Sequence, residues 1–151
     1  MTSIVFTVGN VLRADDAAGP LLAERLEAEP APGWTVIDGG QTPENHTHTV
    51  RALKPERVLV VDAAEMGLAP GEIRLIEEES VVEHFLITTH AIPLSFLIQS
   101  LRESVSEILF LGIQPKDTSF YGPVSPAVDD AVTRLHRHLV ENGRPEDFPR
   151  I

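Results

Sequence analysis

The chain has 151 residues, the length of one ordinary domain, with 42% hydrophobic and 23% charged residues. It has no cysteine, which excludes a disulfide framework, a thiolate metal site, an iron–sulfur cluster and a cysteine nucleophile. Twelve Lys and Arg against 23 Asp and Glu give a formal charge of −11, so phosphate backbones and anionic lipid surfaces are repelled, and nucleic acid and membranes are poor partners.

Ser3 to Val8 reads as a strand, and Met1-Thr2-Ser3 carries no basic leader, so a cytoplasmic protein is the expectation. Gly9-Asn10 is a turn signal. A helix follows through Leu21, Leu22 and Leu26. Pro20 must lie in its first turn, where a missing N–H costs nothing, which leaves Asp15 and Asp16 in the loop or cap before it. Pro30, Pro32 and Gly33 break the chain. Trp34 to Ile37 is a second strand, ended by Asp38-Gly39-Gly40, and a short polar helix spans Pro43 to Leu53. Arg57 to Asp62 is the most hydrophobic strand and belongs at the centre of a sheet, buried on both faces. Gly67 to Gly71 is a loop. Glu72 to Ile76 alternates apolar with charged and is placed at an edge; Glu77 to Glu79 reads as a solvated loop or helix start.

Thr88-Thr89-His90 precedes Pro93, which fits the first position of a helix with the apolar stripe Leu94, Leu97, Ile98, Leu101 and Val105. Ile108 to Ile113 is the last strand, ended by Gln114-Pro115, and Phe120 to Pro123 belongs to a long loop. Ser125-Pro126 caps a final helix that carries Val128, Val132, Leu135 and Leu139 on one face, with Gly143 as its stop. The tail from Arg144 to Ile151 reads as loose. Strands alternating with helices predict a single α/β domain over 1–151 with a mostly parallel sheet.

In such sheets ligands bind beyond the carboxyl ends of the strands. The polar residues there are Asp15 and Asp16, Asp38, Asp62, His90 at a helix entrance, and Gln114. Carboxylates with a neutral imidazole form an oxygen and nitrogen donor set that suits nickel, zinc, cobalt or manganese, and three protein ligands leave positions open for a substrate. Each residue also has a plainer role: Asp15 or Asp16 as a helix cap, Asp62 as a turn acceptor, His90 as a structural histidine. Other patterns are excluded. There is no G-x-G-x-x-G or G-x-S-x-G, and adjacent Asp15 and Asp16 do not aim at one water as a protease dyad would. His46 and His48, and likewise His136 and His138, are two apart and diverge on a helix.

The chain resembles the hydrogenase maturation endopeptidases. The resemblance rests on Val8-Gly9-Asn10 with Asp15-Asp16 and Gly19-Pro20-Leu21-Leu22, on Val36-Ile37-Asp38-Gly39-Gly40 and Pro43-Glu44-Asn45, on Val61-Asp62-Ala63, on Pro70-Gly71-Glu72, on Thr88-Thr89-His90, and on Phe110 to Pro115. It implies a twisted five-stranded sheet with helices on both faces. It also implies metal-binding and catalytic residues at Asp16, Asp62 and His90. The implied activity, called aspartic-type, removes a C-terminal extension from the large-subunit precursor of a nickel–iron hydrogenase after nickel is inserted. The nickel is then supplied by the precursor, although other divalent metals suit the same donors, and a monomer suffices. The family commonly has glycine where Ala17 stands; if that position needs a positive φ, alanine is strained there. Two alternatives use the same ligands: a nickel checkpoint or chaperone that does not cut, and a generic metallohydrolase, against which the missing H-E-x-x-H weighs.

Overall fold

Five strands form one sheet in the order β2-β1-β3-β5-β4: β1 Ser3–Val8, β2 Trp34–Gly40, β3 Arg57–Ala63, β4 Ile73–Ile76 and β5 Glu107–Ile113. A computed structural model describes residues 2–86 and 94–151 of the chain. β1, β2, β3 and β5 pair in parallel, and β4 is an antiparallel edge on β5. β3, the most apolar strand, is the middle one, as its composition predicts.

Strand alternation sends side chains to two apolar layers. Ile4, Phe6, Val58, Val60 and Phe110 meet Val50 of α2 (Thr47–Leu53), Val81 of α3 (Val81–His84), and Ile98 and Leu101 of α4 (Leu94–Arg102). Val5, Leu59, Val61 and Leu111 meet Leu22 and Leu26 of α1 (Ala18–Ala28) and Val128, Val132, Leu135 and Leu139 of α5 (Pro126–Val140). Helices therefore cover both faces. No helix among the described residues is long and apolar enough to cross a membrane.

Three local readings are corrected. Ser125 precedes α5, but its hydroxyl makes no cap and donates instead to Asp15 Oδ2 at 2.9 Å. α5 ends at Val140, and the chain turns away from it at Asn142, with φ 66°, rather than at Gly143. Asn142 N donates to Leu139 O at 3.2 Å and Gly143 N to His138 O at 2.7 Å, the paired bonds of a left-handed helix end. The tail is docked: Leu75 N donates to Pro149 O and Ile151 N to Leu75 O, so it runs beside the edge strand β4, with Phe148 packed on the α1–α5 layer. A covered strand edge is less open to pairing with another chain.

The approach of α1 to the sheet depends on Gly19. A Cβ there would lie 2.3 Å from Val8 O and 3.1 Å from Val61 O, and neither backbone can yield. Gly19→Ala is expected to destabilise the protein by about 1–3 kcal/mol, read as a lower urea midpoint. An unchanged midpoint would show that α1 can lift without loss.

Candidate active site

The strand order reverses between β1 and β3. The chain leaves β1 through α1 on one face, then crosses back over β1 to β3, whose onward path leads to α3 and α4 on the other face. Connections that diverge in this way open a crevice at the carboxyl ends of the two strands. Asp16 lies in the connection after β1. Asp62 is the next-to-last residue of β3, fully buried, paired with Gly112 of β5, and on the strand face that carries Val58 and Val60. The structure thus brings both predicted acids to one rim. His90 lies outside the described residues, as do Thr88, Thr89 and Pro93. The last described residue before them, Leu86, donates its amide to Ala63 O at 3.0 Å, one residue beyond Asp62.

Residues 10–16 fold back on themselves. Asn10 N donates to Asp16 O at 3.1 Å and to Asp16 Oδ2 at 3.2 Å, and Asp16 N donates to Arg13 O at 2.9 Å. Asp16 is buried in a tight 3₁₀ turn, Ala14–Ala17, and among the described residues its Oδ1 has no hydrogen-bond partner. Burial pushes its carboxyl up from the ordinary 3.8 to about 6, against the smaller pull of the Asn10 amide and the Arg13 charge. A buried carboxylate oxygen with no donor among the described residues is open to a proton, a water or a cation. Ala17 has φ −81° and is unstrained, so alanine fits where the family commonly has glycine. The strain falls instead on Ala14, with φ 45°.

The neighbouring acid has the opposite environment. Asp15 is fully buried, and its carboxylate accepts Lys116 N at 2.8 Å, Asp117 N at 3.0 Å, Ser125 N at 2.7 Å and the Ser125 hydroxyl at 2.9 Å. It fastens the loop between β5 and α5 and leaves no oxygen for chemistry. Gln114 is likewise structural: its Oε1 accepts Met66 N and Leu68 N, and its Nε2 donates to Glu65, folding the loop after β3. Asp38 is exposed and shares its strand face with Val36, in the layer opposite Asp62. It accepts the Thr7 hydroxyl and Gly40 N, and lines a groove of about 340 Å³ with Pro20, Leu21 and Glu24. The two diverging histidine pairs form no metal cluster with other His, Asp or Glu among the described residues. His136 is buried and hydrogen bonded to Glu29 O.

Sequence reasoning missed the staple made by Asp15. No local signal marks it, because its partner Ser125 lies 110 residues away. It also left unused the exposed side chains of Val11, Leu12, Phe120 and Tyr121 beside the rim.

A family model described as hydrogenase maturation protease matches residues 20–142. The hydrogenase 3 maturation protease of Escherichia coli K12 is 48% identical over 139 residues, covering 92% of this chain and 89% of that protein. The solution structure of an endopeptidase from Escherichia coli superposes with a TM-score of 0.89 at 46% identity, covering 99% of this chain and 96% of the other. The crystal structure of a NiFe hydrogenase maturation protease from Thermococcus kodakarensis gives 0.79 at 28% identity, covering 93% and 90%.

The two aspartates should separate in stability measurements. Asp15→Ala strands several buried donors and is expected to cost about 3 kcal/mol or more. Asp16 behaves otherwise. Its folded pKa, about 6, lies above the ordinary 3.8, so its proton stabilises the fold fully below pH 3.8, and that contribution is lost as pH rises through 6. Relative to wild type, Asp16→Asn should therefore gain stability between pH 4 and pH 7. Urea midpoints of both proteins across that range check this, and a difference that ignores pH would contradict it.

Proposed function

The chain belongs to the hydrogenase maturation protease family, so its activity is peptide-bond hydrolysis, and we propose that its substrate is the nickel-loaded large-subunit precursor of a nickel–iron hydrogenase, from which it removes a C-terminal extension. The observation that carries this reading is the buried Oδ1 of Asp16, without a donor among the described residues, at the crevice that also holds Asp62. Two carboxylates and the imidazole of His90 suit a first-row divalent ion such as nickel. That ion travels with the substrate, so these residues read whether the precursor is loaded and align its scissile bond with the rim. Alignment of this kind supplies ~7–11 kcal/mol toward a hydrolytic barrier.

In the hydrolysis itself, water adds to the scissile carbonyl and the amide nitrogen leaves with a proton. A carboxyl group that titrates near the working pH takes the proton from water and passes it to the leaving nitrogen. In the free protein burial raises Asp16 to about 6, so it is the acid of this rim suited to that role whenever it is not held by the ion. Asp62, at the end of the central strand, lies at the same crevice. We place the reaction in the cytoplasm, where a cysteine-free chain needs no oxidising environment.

Intact-mass analysis of a cognate precursor, with and without nickel, tests the proposal. Wild type should release a C-terminal peptide only from the loaded precursor, and Asp16→Ala should slow release by about 10²-fold or more. A stable complex without cleavage would identify a checkpoint instead. Cleavage indifferent to nickel would remove the metal-reading role of Asp16, Asp62 and His90.

A further inference from the structure

An apolar ridge stands beside Asp16. Val11 and Leu12, at the tip of the loop that Asp16 closes, are 64% and 46% exposed; Phe120 and Tyr121, from the loop before α5, are 62% and 83% exposed. The two loops are joined. Tyr121 N donates to Leu12 O at 2.7 Å, Arg13 Nε donates to Thr118 O at 3.2 Å, and Asp15 N donates to Asp117 O at 2.9 Å. The Arg13 guanidinium lies 5.0 Å from the Phe120 ring centre, and the Phe120 and Tyr121 rings are 6.1 Å apart. Exposed aromatics grouped with an arginine have the composition of protein-binding hot spots.

Two further observations single this ridge out. The non-glycine residues with positive φ among the described residues are Ala14, Lys54, Tyr121 and Asn142. Lys54 and Asn142 end α2 and α5, where such a conformation is ordinary. Ala14 and Tyr121 end no helix, and they flank the ridge. Backbone strain of about 1–3 kcal/mol is held where geometry matters to function. Charge is the second observation. Eight of the ten arginines pair with carboxylates; Arg13, like Arg51, has no carboxylate within ion-pair distance among the described residues, and it is the one of the two that stands in this ridge, its charge also reaching Asp16, in a chain with net charge −11.

We propose that the Val11-Leu12-Arg13 and Phe120-Tyr121 ridge is the docking surface for the polypeptide substrate, receiving a segment of the precursor with bulky apolar side chains and a carboxylate that meets Arg13. This rests on the reading of Asp16 as the cleavage site and names what holds the substrate there. The ridge is continuous with the rim, since Arg13 O accepts Asp16 N, so a segment seated on it leads directly to the crevice. The joined loops are fixed before binding, which lowers the ordering cost of association.

Cleavage kinetics on the nickel-loaded precursor separate docking from chemistry. Leu12→Ser with Phe120→Ser, and Tyr121→Gly, should each raise KM about 10-fold or more with kcat within twofold; Arg13→Gln, which also removes a charge that acts on Asp16, should raise KM by a similar factor. Asp16→Asn should lose kcat and still bind. Tyr121→Gly relieves the positive φ while removing the ring, so its urea midpoint should not fall, and a raised KM cannot then be ascribed to unfolding. Unchanged KM in these variants, with Asp16→Asn inactive, would overturn the ridge and leave the protease reading intact. If wild type binds the precursor without cutting it, calorimetry with the Asp16→Asn protein still decides: weaker binding in the ridge variants upholds the ridge, and equal binding overturns it. A concentration-dependent dimer abolished by the same variants, with precursor binding untouched, would make the ridge a self-association face and overturn the proposal.

Discussion

A buried carboxylate ties the first connection of the chain to the last. Asp15 lies just after β1, and its acceptors hold Lys116, Asp117 and Ser125, about a hundred residues further on. The loop from Gln114 to Ser125 would otherwise be a long irregular excursion with unmet backbone donors, which a buried position does not tolerate. By meeting them, Asp15 fixes where Phe120 and Tyr121 stand and sets the base from which Asp16 projects. Its oxygens accept four hydrogen bonds, which lets Asp15 be fully buried.

Asp16 is one residue away and has the reverse environment. It has one backbone donor on its carboxylate, the Asn10 amide, and burial raises its pKa rather than being offset. A pair of identical side chains is thereby divided into an acid whose oxygens are all hydrogen bonded and one that keeps a buried oxygen without a donor among the described residues. The division follows from which face of the 3₁₀ turn meets the β5–α5 loop.

Much of the scaffold was legible because it follows local rules. Pro20 placed the start of α1, the unbroken apolar run of residues 58–61 placed β3 at the centre, and the stripe from Val128 to Leu139 gave the buried face of α5. The rim followed from those strand ends, which brought Asp16 and Asp62 into view before any contact was known. What escaped depends on pairings distant in the chain. The Ser125 hydroxyl serves Asp15 rather than its own helix, Gln114 reaches back to Met66 and Leu68, and the tail finds Leu75. Nor could composition show that Asp38 faces the layer opposite Asp62, because that depends on strand parity across two parallel pairings.

Several unfavourable features meet at the rim. Ala14 and Tyr121 hold positive φ away from any helix end, Leu12, Phe120 and Tyr121 expose apolar surface to water, and Asp16 keeps a desolvated oxygen. The two apolar layers packed against the sheet offset these costs. Such concentration has a functional logic. A substrate that covers the ridge and brings positive charge to Asp16 relieves the exposure and the desolvation together. Under the proposed function, binding energy would be realised only when both the polypeptide and its ion are present, and interactions that mature only in the assembled complex are the ones that favour reaction over mere association. A site relaxed in the free protein would have less to gain from the loaded precursor and less basis for refusing the empty one.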